Sequence, residues 1–337
     1  MTQKRRPTIS DVAQLCGVNN STVSRVLNGK KKFSTTPAVR ERILATARKL
    51  GYAPDLSARN LGRQSTHIIG LFASPQASVT EGINEFIFEG LSSVLHPAGY
   101  DVFVELSPPQ RIKRAVPFWR FDGAVLLASP NPEVVEELDR RHTPYICVNE
   151  RVGRPVASVL ADDALGMTRA ISHLAQLGHK RFAYANPPAN YTSHYSITER
   201  YETLLSAARD GAIDLVGGHD KEFSSATEFL RSAVMEEKAT AVITYDHRIA
   251  IMLVGAAAAL GIQIPEQVSI ICFNDVFPVG ILHPSLTAVA VAGHDMGRIG
   301  ASLLLNKLTA SRPQTATEIR VAEDLVVRGS TAPPPAA

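Results

Sequence analysis

The sequence is poor in cysteine. Cys16, Cys147 and Cys272 are the only three in 337 residues, far apart and in apolar surroundings. So sparse and odd a set supports no disulfide framework and fits a reducing compartment, with each thiol filling space. No Cys-x-x-Cys or His-x-x-x-His spacing occurs, so no metal site is expected. No apolar run of about 18 residues is free of charges and breakers, so no membrane span is expected. The opening Met1–Pro7 leads into a polar helical pattern and not into an apolar leader core, so no secretory signal is expected. A Gly-x-Gly-x-x-Gly after a strand, a Walker-type phosphate loop and a Gly-x-Ser-x-Gly elbow are all absent. The commonest signatures of dinucleotide, nucleotide and serine-hydrolase chemistry are therefore missing, and neither a catalytic residue nor a cofactor is expected.

Apolar residues make up 45% and charged residues 20% of the chain, a globular balance. The length suits two or three domains. The net charge of +3 conceals an asymmetry: residues 1–63 hold 13 Lys/Arg against Asp11, Glu41 and Asp55, a balance of +10, and residues 64–337 carry −7. A small basic module on a mildly acidic body points to a polyanionic partner for the first part.

The basic module reads as three helices. Thr8-Ile9-Ser10-Asp11 has the form of a capping box. Ile9, Val12, Ala13 and Leu15-Cys16 follow as an apolar stripe, and Gly17 ends the helix. Asn19 can cap a second helix over 20–27, with Val23, Val26 and Leu27 inward and Asn20, Ser21, Ser24 and Arg25 outward. Two short helices about a tight Gly turn make a helix-turn-helix, whose second helix enters the major groove by its N-terminal end. Arg25 can fork onto guanine O6/N7, and Asn20 suits adenine N6/N7. Hydroxyls and the helix N-terminus suit phosphates, so Thr8, Asn19, Thr22, Ser24 and Asn28 are expected phosphate contacts. Thr36 and Pro37 open a third helix with Val39, Ile43, Ala47 and Leu50 inward, and Gly51 stops it. Residues 52–63 can form a helix of barely two turns, capped by Asp55, too short to stand alone. They read as a hinge that folds when held by DNA and a partner chain.

Thr8–Ala13, Gly17-Val18 and Ser21–Gly29 together resemble the headpiece signature of lac-repressor-family transcription regulators, and Gly51–Pro54 with Ala58–Leu61 resembles that family's hinge. The resemblance implies base reading by Asn20, Ser21 and Arg25. It also implies a minor-groove contact by the hinge at Ala58 and Leu61, with Leu61 wedged at the centre of a palindromic site. Three departures stand out: Asn19 replaces the common Ser, Lys30-Lys31-Lys32 lie in a longer loop, and Asp55 replaces the usual Asn.

Beyond residue 64, apolar strand-like runs alternate with helical patterns. Strands are expected at 66–72, 100–104, 123–127, 145–148, 181–185, 241–244 and 268–273. Helices are expected at 84–95, 132–141, 165–177, 199–210 and 248–260. Such alternation means parallel sheets covered on both faces. Two tandem units imply two lobes with a cleft at the carboxyl ends of the strands. The body is similar to the periplasmic sugar-binding-protein fold that forms the core of lac-family regulators. Markers include Asp122-Gly123, Leu177-Gly178-His179, Arg200, Asp246, Asn274-Asp275, Pro284–Thr287 and Val327–Ser330. The expected fold class is an all-α helix-turn-helix headpiece plus an α/β periplasmic-binding-protein-like core of two parallel-sheet lobes. The expected domains are a headpiece at 1–50, a hinge at 51–64 and a core at 65–337. The N-lobe takes about 65–161 and 291–322, and the C-lobe about 163–290 and 323–330.

By the resemblance, Ser74, Ser196, Arg200, Phe223 and Asn274 contact the small molecule; Asp246 is a candidate that could equally cap a helix. Arg200 is read as opening a helix, with a guanidinium able to fork onto hydroxyls or a carboxylate. Tyr245 stands where sugar-binding members often place Asn, and Asn274 where Asp is common. His173 and His179 read as structural. The function expected is a cytoplasmic repressor that binds double-stranded operator DNA as a homodimer under a small-molecule effector, a sugar or sugar derivative. Alternatives are a nucleoside- or purine-responsive co-repressed regulator and a regulator answering to a protein partner. A sugar-metabolising enzyme and a transport solute-binding protein are the rivals from other classes.

Overall fold

The computed structural model describes residues 7–27, 35–52, 65–73, 82–106, 118–127, 131–188, 194–310 and 316–336. The chain divides into two compact units, Met1–Thr66 and His67–Ala337.

The first unit holds α1 (Ile9–Leu15), α2 (Asn20–Leu27) and α3 (Pro37–Leu50). The Thr8/Asp11 capping box is complete: the Thr8 hydroxyl accepts from the Asp11 amide while the Asp11 carboxylate accepts from the Thr8 amide at 2.6 Å. Gly17 and Gly51 take left-handed φ of 59° and 65°, conformations that cost a side chain. Val12, Ala13, Cys16, Val23, Val26, Ile43 and Ala47 form the core. Fully burying a side chain such as Ile43 contributes roughly 1.5–3 kcal/mol. The core is small, so each of these residues matters. Leu15, expected in the α1 stripe, is 64% exposed. The stripe continues through Cys16, and Leu15 falls on the outer face. Arg42 of α3 donates to the Cys16 carbonyl at 3.0 Å, satisfying the end of α1 from outside.

The second unit carries two six-stranded sheets. The first, in spatial order β11-β5-β4-β3-β1-β2, uses β1 (Ile68–Ala73), β2 (Asp101–Glu105), β3 (Gly123–Leu127), β4 (Tyr145–Val148), β5 (Ser158–Ala161) and β11 (Glu318–Val321), all parallel. The second, in order β12-β10-β9-β8-β6-β7, uses β6 (Arg181–Ala185), β7 (Asp214–Leu215), β8 (Ala241–Thr244), β9 (Ser269–Phe273), β10 (Thr287–Ala290) and β12 (Asp324–Val326). Here the edge strand β12 is antiparallel to β10. The other pairs are parallel. The chain changes sheet between β5 and β6, between β10 and β11, and between β11 and β12.

Helices α4 (Ile83–Leu95), α5 (Pro132–Arg140), α6 (Asp163–Gln176), α7 (Tyr195–Arg209), α8 (Ala226–Leu230) and α9 (His247–Leu260) fall near the expected positions or between them. A wider π-type turn (Arg231–Glu236) continues α8. Local chemistry sets their starts: Asn131 accepts from the Glu133 amide before Pro132, and Asp246 accepts from the Ile249 amide.

Helix α10 (Gly293–Thr309) lies in a stretch where the sequence pattern gave no helix. Its glycines are the reason. A Cβ at Gly297 would collide with the Ile87 carbonyl, and one at Gly90 with the His294 carbonyl. The backbones of α4 and α10 therefore touch, and residues that read as breakers are what allow the contact.

The tail is stitched to the second sheet. The buried Ser330 hydroxyl donates to the Ile270 carbonyl at 2.6 Å and accepts from the Thr287 amide at 2.8 Å. His179 bonds Thr240 at 2.9 Å, Ser269 at 3.0 Å and the Ala332 carbonyl at 2.8 Å. His173 bonds Thr331 at 3.0 Å. Both histidines brace structure, and burial lowers the pKa of each.

Candidate functional site

In the first unit, α2 leaves Asn20, Ser21 and Arg25 exposed, with Thr22 and Ser24 half-buried, while Val23 and Val26 anchor its inner face. One atom organises the approach to the helix: Asn19 Oδ1 accepts from the Thr22 amide at 2.9 Å, the Thr22 hydroxyl at 2.8 Å and the Ser21 hydroxyl at 2.7 Å. The Asn20 amide donates to Ser10 at 3.1 Å. Thr8 spends both amide and hydroxyl on Asp11. This leaves a helix N-terminus flanked by exposed donors and a terminal guanidinium, an arrangement suited to phosphates and base edges. Asn28, Ala58 and Leu61 lie outside the described residues.

In the second unit, the strands carrying the expected cleft end at Ala73, Leu127 and Val148 in the first sheet and at Ala185, Thr244 and Phe273 in the second. Arg200 does not open a helix: α7 starts at Tyr195, and Arg200 lies more than one turn inside it. It is 5% exposed. Its Nε donates to Asp163 Oδ1 at 2.5 Å and its Nη1 to the Tyr245 carbonyl at 2.6 Å. The guanidinium lies 3.8 Å from the centroid of the Phe273 ring and 5.0 Å from that of Tyr245. The fork expected for a ligand is already set on the protein's own groups.

Ser196 is also engaged: its hydroxyl meets the Tyr245 hydroxyl at 3.0 Å and His194 Nδ1 at 2.7 Å. Asp246 is 2% exposed, caps α9 and pairs with Arg248 at 2.9 Å. Phe223 packs on Phe229, ring centroids 6.0 Å apart, within the second sheet's core. Asn274 follows β9 with φ of 73°; its side chain is half-buried and makes no hydrogen bond among the described residues. Ser74 lies outside them. The structure thus brings Ser196 and Arg200 together around Tyr245, with Asn274 next along the chain from Phe273.

Sequence reasoning missed Asp163, Glu323 and Tyr245 as partners of this cluster. Asp163 Oδ2 and both carboxyl oxygens of Glu323 are buried without a hydrogen-bond partner among the described residues. Burial, and then the Asp163 charge, push the Glu323 carboxyl up to about 8. A Cβ at Gly166 would strike that carboxyl, so glycine there makes its room. The Asp162-Asp163 doublet at the first sheet change was the available signal. No group of three His, Cys, Asp or Glu able to hold a metal occurs among the described residues. No helix among them is long and apolar enough to cross a membrane.

Residues 8–55 match the family model described as bacterial regulatory proteins, lacI family, and residues 171–331 that of a periplasmic binding protein-like domain. The chain is 27% identical over 323 residues to the probable HTH-type transcriptional repressor ExuR of Bacillus subtilis, covering 92% of this chain and 94% of the relative. It is 28% identical over 347 residues to the HTH-type transcriptional regulator CelR of Thermobifida fusca, covering 98% and 100%. Its fold matches the lac repressor dimer bound to operator and the anti-inducer ONPF with a TM-score of 0.80 at 21% identity, covering 97% of this chain and 100% of that one.

Proposed function

Because the chain belongs to the lacI family of bacterial regulatory proteins, a family of DNA-binding transcription regulators and not of enzymes, we propose that it is a cytoplasmic repressor of this kind. It binds a pseudo-palindromic operator as a homodimer, under a small-molecule effector held between the lobes. The observation that carries this reading is the outer face of α2, where Asn20, Ser21 and Arg25 stand exposed on a helix pinned by Val23 and Val26. We assign base reading to those three residues, phosphate contacts to Thr8, Asn19, Thr22, Ser24 and Asn28, and the minor-groove wedge to Ala58 and Leu61. Residues 1–50 form the headpiece, 51–64 the hinge and 65–337 the core.

The homodimer is supported by α9. Met252, Gly255, Ala258 and Ala259 are exposed there, and a Cβ at Gly255 would meet open space. Phe277 and Ile281 nearby in sequence are 83% and 74% exposed. An apolar face of this kind suits a self-complementary contact. The effector contacts we assign to Ser74, Ser196, Arg200, Phe223, Asp246 and Asn274. Asn274, whose side-chain amide makes no hydrogen bond among the described residues, and the aromatic Tyr245 suit a ligand with polar groups on an apolar ring, a sugar or sugar derivative.

Selection of bound DNA from a random pool by the purified chain tests the reading. Recovery of a palindromic consensus is expected, with affinity falling steeply as salt rises. Repeating the selection with sugars and nucleosides tests the effector. Recovery of no consensus at low ionic strength would sink the assignment.

A further inference from the structure

Helix α7 belongs to the lobe of the second sheet, yet its first half is fastened to the lobe of the first. His194, at its N-cap, bonds the Asn149 carbonyl at 2.8 Å. The Tyr195 hydroxyl donates to Asn149 Oδ1 at 3.0 Å and accepts from the Ala161 amide at 3.0 Å. One turn on, Glu199 meets two arginines of the first lobe. Arg320 of β11 grips it in a fork, Nη1 to Oε2 at 2.5 Å and Nη2 to Oε1 at 2.8 Å. Arg151, three residues beyond β4, adds Nη1 to Oε1 at 3.0 Å. Glu318, also on β11, holds both arginines in place, at 3.0 Å from Arg151 and 2.8 Å from Arg320. Glu199 is the most buried of the four, its side chain 19% exposed. Two-pronged, partly buried arginine–carboxylate contacts in a network hold geometry in a way that single exposed pairs do not. The next residue in α7 is Arg200, whose guanidinium is set on Asp163 and on the Tyr245 carbonyl.

We propose that Glu199 is the positioning residue that fixes one lobe against the other, and that α7 joins this clamp to the cleft. The joining of clamp to cleft rests on the effector reading above; the clamp itself does not. The fold supplies the logic. Arg151, in the loop after β4, and Arg320, on β11, approach from one lobe, and Glu199 stands on a helix packed on the other, so any rotation of the lobes must stretch these bonds. A shift of α7 at Arg200 moves Glu199 with it, because both sit on one rigid helix.

The test uses the full chain with spin labels at Glu136→Cys in α5 and Glu266→Cys after α9, both exposed positions on different lobes. The native cysteines among the described residues are buried and will not label. We expect one narrow inter-lobe distance distribution at low salt, and a broader or displaced one for Glu199→Gln and for Arg320→Gln. The double variant should be no worse than either single one, as for groups acting in one network. Arg181→Gln, which removes exposed contacts with Asp214 and the Glu237 carbonyl inside the second lobe, should leave the distribution alone. Affinity for the selected DNA should change by about 2- to 30-fold in Glu199→Gln and not in Arg181→Gln. A parent-like distribution in Glu199→Gln, or equal broadening in Arg181→Gln, overturns the clamp. Broadening with unchanged DNA affinity keeps the clamp and overturns its link to regulation. If added sugars or nucleosides never move the distance while Glu199→Gln does, the effector reading falls and the clamp stands.

Discussion

Replacing Glu323 by glutamine should remove a pH dependence that the native chain carries. Glu323, between β11 and β12 in sequence, is wholly buried, and neither carboxyl oxygen has a hydrogen-bond partner among the described residues. Burial first, then the Asp163 charge, push its pKa from 4.5 up to about 8, against the pull of Arg200. The folded chain therefore holds the neutral acid at pH 7, while the unfolded chain ionises near 4.5. A carboxyl whose folded pKa is raised contributes stability that is full below the unfolded value and is lost as pH climbs through the folded value. Each unit is worth about 1.4 kcal/mol, so the loss between pH 4.5 and 8 is on the order of 5 kcal/mol. Glutamine keeps the shape and cannot ionise. Urea unfolding of both chains at half-unit steps from pH 5 to 9 measures the difference directly. The two should be similar near pH 5, and the Glu323→Gln chain should be the more stable by several kcal/mol near pH 9. Parallel stability curves across that range would refute the argument, since they would mean that Glu323 is ionised in both states.

Three further outcomes follow from the same geometry. Arg25→Ala should weaken binding to selected DNA by about 1–3 kcal/mol, roughly 5- to 150-fold, and relax base preference at one position of each half-site; gel shifts on variant oligonucleotides read both. Gly297→Ala should lower the melting temperature by an amount equivalent to about 1–3 kcal/mol, because the added methyl forces α4 from α10; differential scanning calorimetry checks it. Burial lowers the His179 pKa below its ordinary 6.5, so its contribution is full above that value and fades as pH falls. His179→Gln should accordingly flatten the loss of urea stability between pH 7 and 5.

Much of the molecule was legible because local chemistry fixes it. The Thr8/Asp11 box, Gly17, Asn19, Pro37 and Gly51 each act within a few residues of themselves, and the structure shows each at its element's end. Seven strands, β1 to β4, β6, β8 and β9, were legible through their apolar runs, whereas the buried four-residue strands β5 and β10 were not. The short edge strands β7 and β12, of two and three residues, carry no pattern long enough to see. Helix α10 was hidden because Gly293, Gly297 and Gly300 mean close packing against α4 and the first sheet, a fact about residues two hundred positions away. The partners of Arg200 were hidden for the same reason. Asp163 is 37 positions away in sequence, and Glu323 arrives only through the last sheet change. Sequence pattern marked the guanidinium and could not say what it already held.

The order in which strands enter the two sheets has a consequence for the chain's birth on the ribosome. Neither sheet can close until β10, β11 and β12 have been made, because the first sheet waits for Glu318–Val321 and the second for Thr287–Ala290 and Asp324–Val326. The nascent body must keep about 200 residues of unfinished sheet from aggregating until its final segment emerges. A premature stop between residue 50 and β10 would thus leave both sheets unfinished at once, while leaving a three-helix head already complete.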